Sequence, residues 1–266
     1  MLARIFADPL TRAGAQAAVA AALALAMMAV ARRYRVHLER EILIAVARGL
    51  VQIVAVGSVL ALLFRGPGWT SAFILAAMLV TAARIASHRV RAIPGAFGVA
   101  LAGIGGGAGL LIVVMTLLGV IDPAITSLVP VASMIIANAM NAAALAIERF
   151  GSEVESHAGL IETALALGAG PDAAVSSQVQ TAIKASLIPG INSLRSLGIV
   201  WIPGLMAGMV LSGSSPIPAG IYQFVVIATI FSASGLTSLI STRLIRHRIF
   251  SRADQLTLRP SAKGSG

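Results

Sequence analysis

The sequence predicts an all-α, polytopic membrane protein with about seven transmembrane helices, and three observations carry that class. Hydrophobic residues make up 58% of the 266 and charged residues only 11%, against roughly 45–50% and 25% in soluble domains. Mean hydropathy is +0.92, and long apolar runs recur along the chain, each close to the ~20 residues that cross ~30 Å of hydrocarbon. The net charge of +10 is gathered in short basic clusters between those runs, as on the inside loops of membrane proteins. So few charges cannot cover a globular surface. That excludes an ordinary cytosolic enzyme, a disordered chain and, despite the basic pI, a nucleic-acid binder. With no cysteine, the chain has no disulfide, thiolate metal site or cysteine nucleophile. One membrane domain, residues 1–256, is expected, followed by a polar, disordered tail, Thr257–Gly266.

The expected spans are Ala13–Ala31, Ile42–Phe64, Trp69–Ala83, Phe97–Val120, Ala124–Ile147, Ile188–Leu211 and Ala219–Ile240. The third is the shortest, because Arg84 cuts it; if it is re-entrant, six remain. Pro203-Gly204 interrupts the sixth. Basic residues follow every second run: Arg32, Arg33, Arg35 and Arg40; Arg84, Arg89 and Arg91; Arg149 and Lys184; Arg243, Arg246, Arg248 and Arg252. Seven spans therefore put the N-terminus outside and the C-terminus in the cytoplasm. The first apolar run ends in a basic cluster and does not read as a cleaved signal peptide.

No acidic residue sits in the middle of a span, and His37, His88, His157 and His247 all fall in cytoplasmic segments, where a solvated loop is the plainer reading than a metal sensor. Ion-coupled transporters usually carry titratable groups inside the membrane. The phosphate-cradling pattern G-x-x-x-x-G-K-[ST] is absent too. Any transport work is then expected to be powered by another polypeptide, and the chain is not expected to be an enzyme.

The segment between spans five and six is polar and periodic. Ser152 and Glu155 have the spacing of a capping box, so a helix is expected to start at Ser152, with Val154, Ala158, Ile161 and Leu165 on one face. Gly168 and Gly170 suit a helix stop and Pro171 the first turn of the next helix, expected over Asp172–Ser186. An amphipathic pair of this kind either lies on lipid or docks in a groove of a soluble partner.

Glu162-Thr-Ala164-x-x-x-Gly168 resembles the coupling loop of ABC-transporter permeases, in which short helices dock on the ATP-binding subunit. A narrower resemblance covers most of the chain, from about Arg48 to Ile240. It rests on Arg48-x-x-x-Gln52-x-x-x-Val56-Gly57, Pro130-x-x-x-Met134-x-x-x-Asn138-x-Met140, Leu165-Ala-Leu-Gly-Ala169, Ile188-Pro189-x-Ile191-Asn192, Pro203-Gly204-x-Met206-x-Gly208 and Gly213-x-x-Pro216-x-x-Ala219-x-x-Tyr222-Gln223. These are similar to the iron-export ABC permeases of Fet type and the related plant aluminium-sensitivity proteins. The resemblance implies a permease subunit in a bacterial inner membrane. It would pair with a second copy and with separate ATP-binding subunits that hold the ATP and Mg, and would move iron or a related metal species outward.

Glu162, Ala164, Gly168, Ala169 and Pro171 are then the candidate ATPase-coupling residues. Arg48, Gln52, Met134, Asn138, Met206 and Gln223 are the candidate pathway residues. Arg48 reads equally as a snorkelling side chain, and Asn138 with Asn141 as helix–helix adhesion. Met206 and Met209 read first as packing. Pro203 and Gly204 form either a hinge or a static kink. Gly103-x-x-x-Gly107, Gly105-x-x-x-Gly109 and Gly204-x-x-x-Gly208 are small-residue packing faces, used within one copy or between two. A secondary transporter of a small solute and a non-transporting membrane scaffold are the rival functions.

Overall fold

The computed structural model describes residues 9–33, 39–63, 68–88, 95–251 and 254–257. Every regular element among them is a helix, as the lack of alternating strand patterns requires. Two compact units are present, residues 1–66 and 67–266. The first contains α1 (Pro9–Arg33) and α2 (Glu39–Leu63), which pack on one another.

The second unit contains α3 (Thr70–His88), α4 (Ala96–Leu117), α5 (Ile125–Ser156), α6 (Ala158–Ala166), α7 (Pro171–Ala174), α8 (Ser176–Ser196), α9 (Gly204–Leu211) and α10 (Pro216–Arg246). Five helices among the described residues are long and apolar enough to cross a membrane: Thr11–Val30, Thr70–His88, Ala96–Leu117, Ile125–Ser156 and Pro216–Arg246, with a shorter apolar stretch at Ile42–Ser58. This is a multi-pass helical membrane protein.

Several expected boundaries are corrected. Arg84 does not cut the third run: α3 continues through it to His88, with Arg84 on the exposed side. No helix starts at Ser152, because the capping-box spacing lies inside α5, where Ser152 accepts a hydrogen bond from the Ser156 hydroxyl at 2.8 Å. The break comes instead at His157 (φ −114°), and α6 begins after it. The expected helix Asp172–Ser186 is two: the short α7, a break at Val175, then α8 running on to Ser196.

Ile188–Leu211 is not a continuous span. α8 ends at Ser196, Gly198 adopts φ +78°, and Pro203, which has no N–H to donate, precedes the separate α9. Thr257 is held, both its backbone N–H and its hydroxyl donating to the Ile249 carbonyl at 2.8 and 2.7 Å. The remainder of the expected tail, like Arg35, His37, Arg89, Arg91 and Arg252, lies outside the described residues.

The helix stop at Gly168 is as the sequence predicts. Gly168 (φ +89°) donates to the Leu165 carbonyl and Ala169 to that of Ala164, both at 3.0 Å. These two bonds satisfy carbonyls that the end of α6 leaves open. Pro171 then opens α7.

α5 and α10 form the centre of the second unit. At 32 and 31 residues they are about 46–48 Å long at 1.5 Å per residue, longer than the hydrocarbon layer. α5 buries a face rich in alanine and isoleucine, including Ala132, Ile135, Ala139 and Ile147, against α3, α8 and α10. Between helices in lipid there is little hydrophobic drive, so close packing and hydrogen bonds hold them together.

The closest crossing joins α4 and α10. Gly103 faces Ser241, and Gly107 faces Thr237 and Ala233. This Gly-x-x-x-Gly face is thus used inside one chain. Gly107 sits in a π-helical turn, Gly105–Gly109, inserted in α4. The Thr237 and Ser241 hydroxyls are buried there without a hydrogen-bond partner among the described residues. Gly105 and Gly109 instead face Leu79 of α3. Among the described residues, nothing outside the local helix backbone lies within 4 Å of where a Cβ on Gly204 or Gly208 would sit.

These contacts set two glycine pairs apart. A Cβ on Gly107 would lie 2.6 Å from the Thr237 nitrogen and 2.9 Å from the Ala233 carbonyl oxygen, so backbone must move. Gly107→Ala is expected to lower unfolding stability in detergent by about 1–3 kcal/mol, as overpacking does. Gly208→Ala is expected to leave the single chain's stability within about 0.5 kcal/mol, as for a site with no steric demand.

Candidate functional site

A cavity of about 370 Å³ opens between α5, α8 and α10. This is at the small end of the range for small-molecule sites, about 300–1,000 Å³. Helix periodicity brings its walls together. Met134, Asn138 and Asn141 lie along one face of α5, while Ile227, Ile230 and Ser234 line one face of α10. Pro189 and Gly190 form part of the α8 wall. Pro189 is inside the helix and cannot donate to the Ala185 carbonyl. Gly190 lets the Phe231 ring approach so closely that a Cβ would sit 2.9 Å from Cδ2. Trp201, in the connection after α8, closes part of the rim.

The polar groups on the walls differ in how far they are already engaged. The Asn138 amide donates to the Met134 carbonyl at 2.8 Å, leaving its oxygen and second N–H available. Ser193 donates to the Pro189 carbonyl at 3.0 Å. Ser186 bridges the Ile183 carbonyl at 2.8 Å and the Ser238 hydroxyl at 2.9 Å, tying α8 to α10 behind the cavity.

Two of the six sequence-predicted pathway residues, Met134 and Asn138, therefore line this cavity. Gln223 lies on the same face of α10 as Ile227, one turn further toward the helix N-terminus. It is 1% exposed, and neither its amide oxygen nor its nitrogen has a hydrogen-bond partner among the described residues. Met206 packs elsewhere, on α9, with its Cε 3.6 Å from the Cβ position of Gly220. Arg48 and Gln52 lie one turn apart on α2, in the first unit, whereas the cavity is built from the second. Pro203 is buried and Gly204 opens α9, so the pair marks a real discontinuity in the chain path.

Trp201, Ser186, Ser193, Ser234 and Phe231 are wall residues that sequence reasoning missed. The one available signal was spacing: Ser234 stands eleven residues after Gln223, three helical turns along the same face.

At the other end of α10 the candidate coupling residues come together. Glu162 is exposed on α6, and Ala164, Gly168, Ala169 and Pro171 shape the turn into α7. Asp172, in the first turn of α7, pairs with Arg246 in the last turn of α10, Oδ2 to a guanidinium nitrogen at 3.1 Å. The Arg246 side chain is largely covered, and its Nε is buried without a partner among the described residues. Arg149 holds Glu153 at 2.7 Å, and the His157 ring nitrogen Nδ1 lies 2.9 Å from the Glu153 carbonyl oxygen, which fixes the corner between α5 and α6. No group of three or more His, Asp or Glu side chains that could hold a metal ion occurs among the described residues.

The long apolar helices define a multi-pass membrane protein, with a small-molecule-sized cavity between α5, α8 and α10. Residues 15–250 match the model of UPF0014, an uncharacterised protein family, and the chain belongs to that family. It is 34% identical to the UPF0014 membrane protein STAR2 of Oryza sativa subsp. japonica, over 89% of this chain and 84% of that one. It is 33% identical to the protein ALUMINUM SENSITIVE 3 of Arabidopsis thaliana (89% and 88%) and 30% identical to the probable iron export permease protein FetB of Escherichia coli K12 (91% and 93%). No solved structure matches.

An unpaired buried amide should report on its surroundings. Gln223→Leu removes an orphan polar group whose desolvation costs about 1–3 kcal/mol, so the variant is expected to melt several degrees higher in detergent. An unchanged or lower melting temperature would mean that the amide has a partner in the membrane-embedded protein.

Proposed function

We propose that the chain is the membrane-spanning subunit of an ABC-type exporter that moves iron or a related metal species. Two copies pair with two separate ATP-binding subunits, and those subunits bind the ATP and Mg. The supporting observation is a continuous line of structure: the glycine-rich α6–α7 turn, the Asp172–Arg246 ion pair at its edge, and α10, which carries a cavity wall. Closure of the ATP-binding partners on Glu162, Ala164, Gly168, Ala169 and Pro171 would move α7. The ion pair then carries that motion into α10, and the cavity walls shift relative to one another.

The similarity to a probable iron export permease over nine-tenths of both chains supports the permease reading and the cargo. Orientation follows from the basic clusters: the α6–α7 turn and the C-terminus face the cytoplasm of a bacterial inner membrane, with the N-terminus outside. The break at Pro203-Gly204 gives α9 freedom to rotate against α8, which is the hinge role. Arg48 and Gln52 are proposed as pathway residues on their motif, Arg48-x-x-x-Gln52.

Co-purification with a lone ATP-binding subunit, followed by an ATPase assay, tests this reading. The wild-type chain is expected to stimulate ATP hydrolysis. Gly168→Trp, which places a large side chain at a residue with φ +89°, is expected to abolish stimulation while membrane insertion is retained. Arg246→Asp is expected to reduce stimulation severalfold, and the exchanged pair Arg246→Asp with Asp172→Arg to restore most of it. Normal stimulation by Gly168→Trp contradicts the docking role of the turn.

A further inference from the structure

The chemistry of the cavity walls restricts what can occupy them. The lining carries two carboxamides, three serine hydroxyls, a thioether and an indole, with aliphatic and phenyl surface between. Among the described residues it carries no charged side chain and no histidine. A bare iron cation entering such a chamber would lose its hydration shell with no anionic ligand to replace it. Two amide oxygens cannot complete the coordination of a hard cation, and a thioether is a soft ligand that suits Cu(I).

The groups left unengaged are of another kind. Among the described residues no protein hydrogen bond is made by the Asn141 amide, the Ser234 hydroxyl or the Trp201 indole N–H, and Asn138 keeps one N–H. Four donors therefore belong to residues that line one space, together with two aromatic side chains, Trp201 and Phe231.

Resting on the permease reading above, we propose that this cavity is the cargo site and that it takes an uncharged molecule with outward-facing acceptor oxygens and an apolar body. Such a molecule is either a metal ion already wrapped in neutralising organic ligands or the organic ligand by itself. A bare metal cation is not its occupant. Asn141 and Ser234 bind the acceptor oxygens, and Phe231 and Trp201 cover the apolar body.

Equilibrium dialysis of the purified full chain in detergent tests this with three probes: ferrous iron alone under anoxia, the uncharged complex ferric tris(maltolate), and maltol alone. Saturable retention of ferric tris(maltolate), near one per chain, is the expected result. Competition by free maltol marks the organic source, and its failure to compete marks the wrapped metal. Asn141→Asp is expected to weaken retention of the complex at least tenfold and to raise retention of ferrous iron. Ser234→Val is expected to weaken the complex severalfold with no gain of ferrous iron, and a melting curve confirms that each variant is folded.

Saturable ferrous binding by the wild type that Asn141→Leu removes overturns the proposal. So does failure of both maltol probes to bind, or binding indifferent to Asn141 and Ser234. The measurement needs neither ATP nor a partner. Loss of ATP-driven transport with binding intact therefore counts against the permease reading alone, and loss of binding in a transporting protein counts against the cargo assignment alone.

Discussion

The backbone-to-backbone crossing of α4 and α10 is the contact on which the second unit depends. Gly103 and Gly107 bring α4 against Ser241, Thr237 and Ala233 so closely that any side chain would displace backbone or hydroxyl groups. In lipid such intimacy replaces the hydrophobic drive that would hold a soluble bundle. The π-helical turn at Gly105–Gly109 belongs to the same solution. Residues two apart point to opposite sides of a helix, so Gly103 and Gly107 meet α10 while Gly105 and Gly109 meet Leu79 of α3. With α10 pinned from one side by α4, its other face is free to meet α5 and α8 and to form a cavity wall.

That placement gives α10 two ends with different tasks. Near the middle of its length it carries Ile227, Ile230 and Ser234 into the cavity, and at its C-terminus it carries Arg246 to Asp172. A salt bridge half open to water adds little stability. In the coupling proposed above its value is positional, since it joins the α6–α7 turn to the helix that carries a cavity wall. The bond between Ser186 and Ser238 adds a second tie, this time between α8 and α10, at the level between the ion pair and the chamber.

Much of this architecture was legible in the sequence, for identifiable reasons. The long apolar runs reported α1, α3, α4, α5 and α10, because hydrocarbon demands continuous apolar helices. Gly168 and Pro171 announced their turn because only a left-handed residue and a donor-free first turn fit there. The capping-box spacing at Ser152 misled, because hydrophobic packing carried α5 past it: Val154 is fully buried. Ile188–Leu211 looked like a span by composition, yet Gly198 and Pro203 break the helix, and α8 starts earlier, at Ser176, among polar residues such as Gln178 and Lys184. For the candidate site, Met134, Asn138 and the unpaired Gln223 stood out as polar or soft groups in apolar runs. Trp201, Phe231 and the Asp172–Arg246 pair did not, because their meaning arises only when distant helices are brought together.

In the permease reading proposed above, energy for transport enters through the α6–α7 turn from an ATP-binding subunit. Proteoliposome transport measures that most directly, by following accumulation of iron complex against its gradient with the chain alone and with its ATP-binding subunit present. The account predicts no uphill movement without the subunit and ATP-dependent accumulation with it. Uphill transport by the chain alone, driven by a proton or sodium gradient, would contradict it.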